Sequence, residues 1–226
     1  MNNLLHIIPA AGKADRIGGI PKFLLPIGSN NFLIKFHVQN LLSELENCKK
    51  VIAVNLENYE TVKRMDLNAE ILTVDTSSMN ETVNIVISKY PEYENYLLTM
   101  PDTYYRDHKI IDDLVEYYFD SKSLISTALW KIQNHQIGNL GQVNVSSDYI
   151  VDVVDKDSSC NYKLCWGSII WHKDLNKYIL NEQSHVGYML KPIINSGHKI
   201  SFKKAEDVYY DCGTFEEYSL LIRSLN

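Results

Sequence analysis

Three cations fall inside one short segment near the start of the chain. Residues 9–26 read PAAGKADRIGGIPKFLLP, which sets Lys13, Arg16 and Lys22 among small residues. A backbone that approaches a polyphosphate needs little side-chain bulk, so that its N–H groups can face the oxygens while Lys and Arg neutralise their charge. Ala10, Ala11 and Gly12 meet that need. A surface loop of solvated lysines reads the same way in isolation. Neither G-x-G-x-x-G nor G-x-x-x-x-G-K-[ST] occurs, which argues against a dinucleotide oxidoreductase and a P-loop NTPase. A second chemical group is Asp102, just past the apolar run YLLTM. A carboxylate at the carboxyl edge of a strand can hold Mg2+, which takes one or two carboxylates and leaves its other positions to water and phosphate. It can equally begin a loop or cap a helix. A third is Asp211 in DVYYDCGTFEEYSLLIRSL, where an aromatic strand ends in Asp-Cys-Gly-Thr and a helix begins near Phe215. Gly213 and Thr214 also suit a plain turn and N-cap.

These groups need a frame that brings distant segments together. LLHIIPA at 4–10, VIAVNL at 51–56, AEILTV at 69–74 and YLLTM at 96–100 read as buried strands. FLIKFHVQNLLSEL at 32–45 and KIIDDLVEYYF at 109–119 place apolar residues at helical intervals and predict covering helices. The alternation predicts an α/β fold with right-handed crossovers and a mainly parallel sheet, its ligand site beyond the carboxyl ends of the strands. From Ser123 the pattern turns strand-rich through LISTALW, GQVNV, DYIVDVV and KLCWGSIIW, with helical residues again at 174–180 and 187–196. No linker or repeat divides the chain, so 1–226 reads as one domain with two lobes, one to about 122 and one from about 123, the second building a pocket of its own.

With 226 residues, 45% of them hydrophobic, the chain can bury a substantial core. Its start, MNNLLHII, lacks the pattern of a secretory signal, and no apolar stretch is long enough for a bilayer. Cys48, Cys160, Cys165 and Cys212 form no C-x-x-C pair and fit reduced thiols in cytoplasm, while Cys160 and Cys165 with His172 match no common zinc spacing. A net charge of -6 argues against general nucleic-acid binding. The 15 tyrosines fit homo-oligomer contacts or a half-buried core equally well.

The opening loop resembles the signature loop of the Rossmann-like nucleotidyltransferases through Ala11, Gly12, Arg16, Pro21 and Lys22. Later blocks resemble, in order, those of the sugar-nucleotide pyrophosphorylases, the sugar-phosphate branch of that family. They are Asp102 after its strand, then Gly141-Gln142-Val143, Asp155-Lys156 and Cys165-Trp166-Gly167, then Asp211, Gly213, Thr214 and Tyr218. The resemblance implies a Rossmann-like three-layer sandwich and a transfer of NMP from an NTP to a sugar 1-phosphate, with release of pyrophosphate. It implies catalytic charge stabilisation by Arg16 and Lys22, and nucleotide binding by Ala10, Ala11, Gly12, Lys13 and Thr82. It further implies Mg2+ on Asp102 and Asp211, and acceptor binding by Gly141, Asp155, Lys156 and Gly167. The chain departs from the family at Ala14 and Asp15, which replace a Gly and a Ser or Thr, and at Glu81, which replaces a Gly. Asp155 and Asp157 stand where Glu and Pro are usual, which points away from a common hexose. Two alternatives stay open. One is a cytidylyltransferase acting on a phosphate such as phosphocholine or methylerythritol phosphate, favoured by the close spacing of Arg16 and Pro21. The other is a non-catalytic nucleotide-sugar-binding domain.

Overall fold

Strand β1 (Leu4–Ala10) is buried on both faces, with His6 its one polar side chain, and lies inside a nine-stranded sheet, third from one edge. The computed structural model describes residues 3–12, 19–43, 45 and 48–225; Lys13, Ala14, Asp15 and Arg16 lie outside them. After β1 come a hairpin of β2 (Pro26–Gly28) and β3 (Asn31–Phe32), a single turn α1 (Leu33–Lys35), β4 (Cys48–Val54), α2 (Leu56–Lys63), β5 (Glu70–Thr73) and α3 (Met79–Lys89). Then follow β6 (Asn95–Thr99), β7 (Thr103–Tyr104), α4 (Lys109–Ser121), β8 (Ile125–Lys131), β9 (Gly141–Ser146), β10 (Tyr149–Asp155) and β11 (Leu164–His172). The chain closes with α5 (Leu190–Asn195), β12 (Ile200–Lys204), β13 (Tyr210–Asp211) and α6 (Phe215–Leu225).

The large sheet is mixed, in the order β5-β4-β1-β6-β11-β8-β12-β10-β9. Strands β5, β4, β1 and β6 are parallel, whereas β11 runs antiparallel to both β6 and β8. Successive residues of each strand face opposite ways. Leu5, Leu98 and Ile169 therefore cluster with Val83 and Val86 of α3 and Ile193 of α5, while Leu4, Leu97 and Ile170 cluster with Ile110, Ile111 and Leu114 of α4. Pairing of β1 with β6 ends at Ile7↔Leu98, two residues before Pro9, so the missing proline N–H costs no bond on that side. Beyond that point the two strands are free to part, and a crevice opens at their carboxyl ends.

The helix expected over 32–45 is not continuous. After α1 the chain makes a π-helical turn over Phe36–Asn40, and Leu41 is extended. Leu42 then takes a left-handed φ of 53°. The physical reason lies outside the segment: the Lys50 ammonium donates to the Val38 and Leu41 carbonyls, each at 2.6 Å, and satisfies oxygens that a longer helix would have used.

Candidate active site

A tight turn presents Asp102. Strand β6 ends at Thr99, and the Thr103 N–H and hydroxyl both donate to the Met100 carbonyl, at 3.1 and 2.8 Å. The next two residues form β7, which pairs antiparallel with β13 so that Thr103 stands opposite Asp211. The Cys212 N–H donates to the Asp102 carbonyl at 2.9 Å. The two aspartates, far apart in sequence, thereby share one small ribbon at the sheet edge. Lys22 joins them from a 3-10 turn over Lys22–Leu24, with its Nζ 3.3 Å from Asp102 Oδ2. Gly213 makes room for this meeting. A Cβ there would lie 3.0 Å from Asp211 Oδ1 and 3.6 Å from Lys22 Nζ.

Burial, then the neighbouring Asp102 charge, push the Asp211 carboxyl well above the usual carboxylate range, and Lys22 opposes that push. Two carboxylates in mutual repulsion form a donor set that a hard divalent cation relieves. Among the described residues no cluster of three metal-ligating side chains occurs; the pair Asp102 and Asp211 suits a cation that takes one or two carboxylates and keeps phosphate and water in its other positions. That donor set fits Mg2+.

On one side of Lys22 and Asp102 lies a cavity of about 500 Å³, bordered by Pro9–Gly12 of the first strand's end and by the start of α3. An added Cβ at Gly12 meets no atom of the described residues beyond its chain neighbours within 4 Å. Thr82 lines this cavity from the first turn of α3. Its hydroxyl donates to the Ser78 carbonyl at 3.0 Å and so must accept from Thr76, whose oxygen is 2.6 Å away. Glu81 acts locally, its carboxylate accepting from the Ser77 N–H at 2.8 Å while Ser78 Oγ accepts from the Glu81 N–H at 3.2 Å. This reciprocal capping fixes the start of α3 and accounts for Glu81.

On the other side is a cavity of about 400 Å³ that shares Lys22, Asp102, Met79 and Ser184 with the first. Asp155 and Lys156 line it from the end of β10, with Lys156 at a left-handed φ of 50° and its N–H bonded to the Leu140 carbonyl. Asp155 is already engaged. Its Oδ2 lies 3.3 Å from His185 Nε2 and accepts from the Tyr188 hydroxyl at 3.0 Å, and these partners, His185 foremost, hold its carboxyl below the usual range. Trp166 forms part of the wall, pinned by two glycines: a Cβ at Gly141 would lie 2.2 Å from its Nε1, and one at Gly187 would lie 2.1 Å from its Cζ2. Gly167 is not brought to the cavity; it gives space to Tyr209 and Trp130 instead.

Sequence reasoning missed His185, Gly187 and Glu217. Glu217, in α6, lines the second cavity and is held by Gln136 Nε2 at 2.6 Å and His135 Nε2 at 2.8 Å. Its place directly before Tyr218, inside the block that begins at Asp211, was the available signal. Tyr218 anchors that helix on β2, donating to the Pro26 carbonyl at 2.6 Å.

Neither a protein-family model nor a curated protein sequence matches the chain. Solved structures do. A Bacillus anthracis protein assigned as a glucose-1-phosphate thymidylyltransferase, in complex with sucrose, aligns with a TM-score of 0.80 at 14% identity, over 98% of this chain and 95% of its own. A UTP-bound UGPase from Acinetobacter baumannii aligns at 0.77 and 15% identity, over 99% and 93%. A UDP-glucose pyrophosphorylase complexed with UDP-glucose aligns at 0.78 and 16% identity, over 99% and 98%. The chain shares the fold of these sugar-phosphate nucleotidyltransferases along nearly its whole length.

Proposed function

We propose that a chain of this fold, with these two cavities, transfers the nucleoside monophosphate of an NTP to a sugar 1-phosphate and releases pyrophosphate. The observation that carries the reading is the shared wall: Lys22 and Asp102 border both cavities, so two phosphate-bearing substrates would meet there. The UTP and UDP-glucose bound to the fold relatives support it. An acceptor phosphate oxygen attacks the α-phosphorus in line; the new O–P bond forms as the bond to the β-phosphate oxygen breaks, and pyrophosphate leaves with that electron pair. Lys22 neutralises charge on the phosphates at the junction and Lys156 holds the acceptor phosphate. Thr82 and residues Ala10–Gly12 take the nucleotide, and Gly141 with Trp166 shapes the acceptor side. By the family resemblance, Lys13 and Arg16 complete the phosphate loop. Asp102 and Asp211 would hold Mg2+, which when bound neutralises phosphate charge.

The same reading assigns residues to about 122 to the nucleotide and the rest to the acceptor, within a three-layer sandwich. Four free cysteines fit a cytoplasmic setting. A non-sugar phosphate acceptor is the second reading, favoured by Asp155, whose carboxylate is engaged by His185 and Tyr188 where a sugar hydroxyl would need it. The test is Mg2+-dependent pyrophosphate release from CTP, UTP, GTP, ATP and dTTP against sugar 1-phosphates, phosphocholine and methylerythritol phosphate. Release with a sugar 1-phosphate upholds the main reading, and release only with a non-sugar phosphate moves it to the second. Silence across the panel from folded, NTP-binding protein refutes catalysis and leaves a binding domain.

A further inference from the structure

Beneath the Asp102 turn runs a chain of buried polar groups that the transfer chemistry does not use. His6 of β1, Thr99 at the end of β6 and His37 of the π-helical turn are fully buried. His6 Nε2 lies 2.7 Å from Thr99 Oγ1, His37 Nδ1 lies 3.2 Å from the same oxygen, and His37 Nε2 lies 2.9 Å from the Thr103 carbonyl.

Chemistry fixes the direction of every bond in this chain. A carbonyl oxygen only accepts, so His37 Nε2 carries the hydrogen. Burial holds the His37 ring neutral, with its pKa lowered to about 4, so Nδ1 is left with a lone pair. The Thr99 hydroxyl must then donate to His37 Nδ1, and it accepts in turn from His6 Nε2–H. All three hydrogens point one way, towards the Thr103 peptide. Residue Thr103 follows Asp102 directly and stands opposite Asp211.

A buried polar trio is no gain for stability over apolar packing, since each group must first lose its water. Its distinct product here is the placement of one carbonyl. Sites of this kind need their groups held to within about 0.5 Å; the Cys212 N–H fixes the Asp102 carbonyl, and His37 fixes the next carbonyl along, that of Thr103.

We propose that His37 is a positioning residue for the Asp102–Asp211 pair, acting through the Thr103 carbonyl at the end of a one-way chain from His6 through Thr99. The inference rests on the proposed function only in taking that pair as a cation site, and it is therefore tested without turnover.

The probe is Mn2+ alone, its binding to the whole folded protein followed by water-proton relaxation. His37→Phe keeps a ring of similar size and removes both nitrogens; it should weaken Mn2+ binding about 10- to 100-fold, as loss of an outer partner of a metal ligand does. His37→Gln, which returns an N–H for the Thr103 carbonyl, should recover part of that loss, a rescue that a general packing defect would not give. Thr99→Val, close in shape and without the hydroxyl, should move binding in the same direction, and it carries the test if His37→Phe does not fold. Wild-type Mn2+ affinity in folded His37→Phe or Thr99→Val overturns the proposal, as does a wild-type protein that binds no Mn2+. A wild type that binds Mn2+ with the expected mutant pattern, yet releases no pyrophosphate from any substrate pair, upholds the positioning role and removes the nucleotidyl-transfer reading.

Discussion

Replacing Gly187 by alanine tests whether Trp166 is a fixed wall of the acceptor cavity. The new methyl would lie 2.1 Å from Cζ2, 2.7 Å from Cε2 and 2.9 Å from Cη2 of the indole. Ordinary carbon contacts are about 3.5–4.0 Å, so ring or backbone must give way by more than about 1 Å. The ring is held at a second place as well, because the Gly141 backbone packs so close to its Nε1 edge that a Cβ there would lie 2.2 Å from Nε1. Overpacking of this kind costs about 1–3 kcal/mol, and each kcal/mol lowers Tm by about 2–4 °C in a chain of this size. If about 1–2 kcal/mol of the distortion appears as a misplaced cavity wall, the acceptor KM rises about 5- to 30-fold. The NTP KM should stay unchanged, because Trp166 does not border the nucleotide cavity. Thermal unfolding with steady-state kinetics in both substrates reads all three quantities. A Gly187→Ala protein with wild-type Tm and acceptor KM, or with equal losses for both substrates, refutes the reasoning.

Asp102→Asn and Asp211→Asn should each lower kcat by more than about 100-fold, beyond the usual cost of losing an outer-shell partner, with circular dichroism unchanged; metal-dependent turnover at wild-type rate in either would remove the carboxylate assignment. Asp211 also predicts a stability profile for cation-free protein. Its folded pKa is raised, so its favourable contribution is full below the ordinary value of 3.8 and is lost as pH rises towards neutrality. Asp211→Asn in EDTA should therefore show a higher Tm than wild type at neutral pH and a flatter Tm profile above pH 3.8, as melting curves across that range would reveal. Lys156→Ala should raise the acceptor KM about tenfold with little change in the NTP KM, as expected for a lysine that holds a phosphate before and during reaction; unchanged acceptor kinetics would take Lys156 out of the site.

Local signals were legible in the sequence. The run 4–10 is apolar but for His6 because β1 is covered on both sides, and Asp102 follows an apolar strand because the crevice opens at that strand's end. Asp155, Lys156 and Asp211 were reached through the family resemblance of their short blocks, and the fold brings all three to the second cavity. What stayed hidden depends on contacts between distant segments. Nothing around Phe36 or His37 marks a π-helical turn, since the lysine that ends it belongs to β4. Likewise, His185 and Tyr188 gain meaning only where they meet Asp155, and Gly187 only against Trp166. Glu81 misled for the opposite reason: a purely local capping bond explains a residue that looked like a change in ligand chemistry.

The reversal of strand direction at β11 has a consequence for how such a protein can diversify. Ser168 pairs with Thr99, so Cys165–Gly167 at the amino end of β11 reach the same edge as the carboxyl ends of β1 and β6. One rim of the sheet is therefore written by two stretches of chain that enter it from opposite directions, with Lys22 and Asp102 at the seam. Substitution at Trp166 in the later stretch alters the second cavity alone, whereas substitution at Pro9–Gly12 in the earlier stretch alters the first alone.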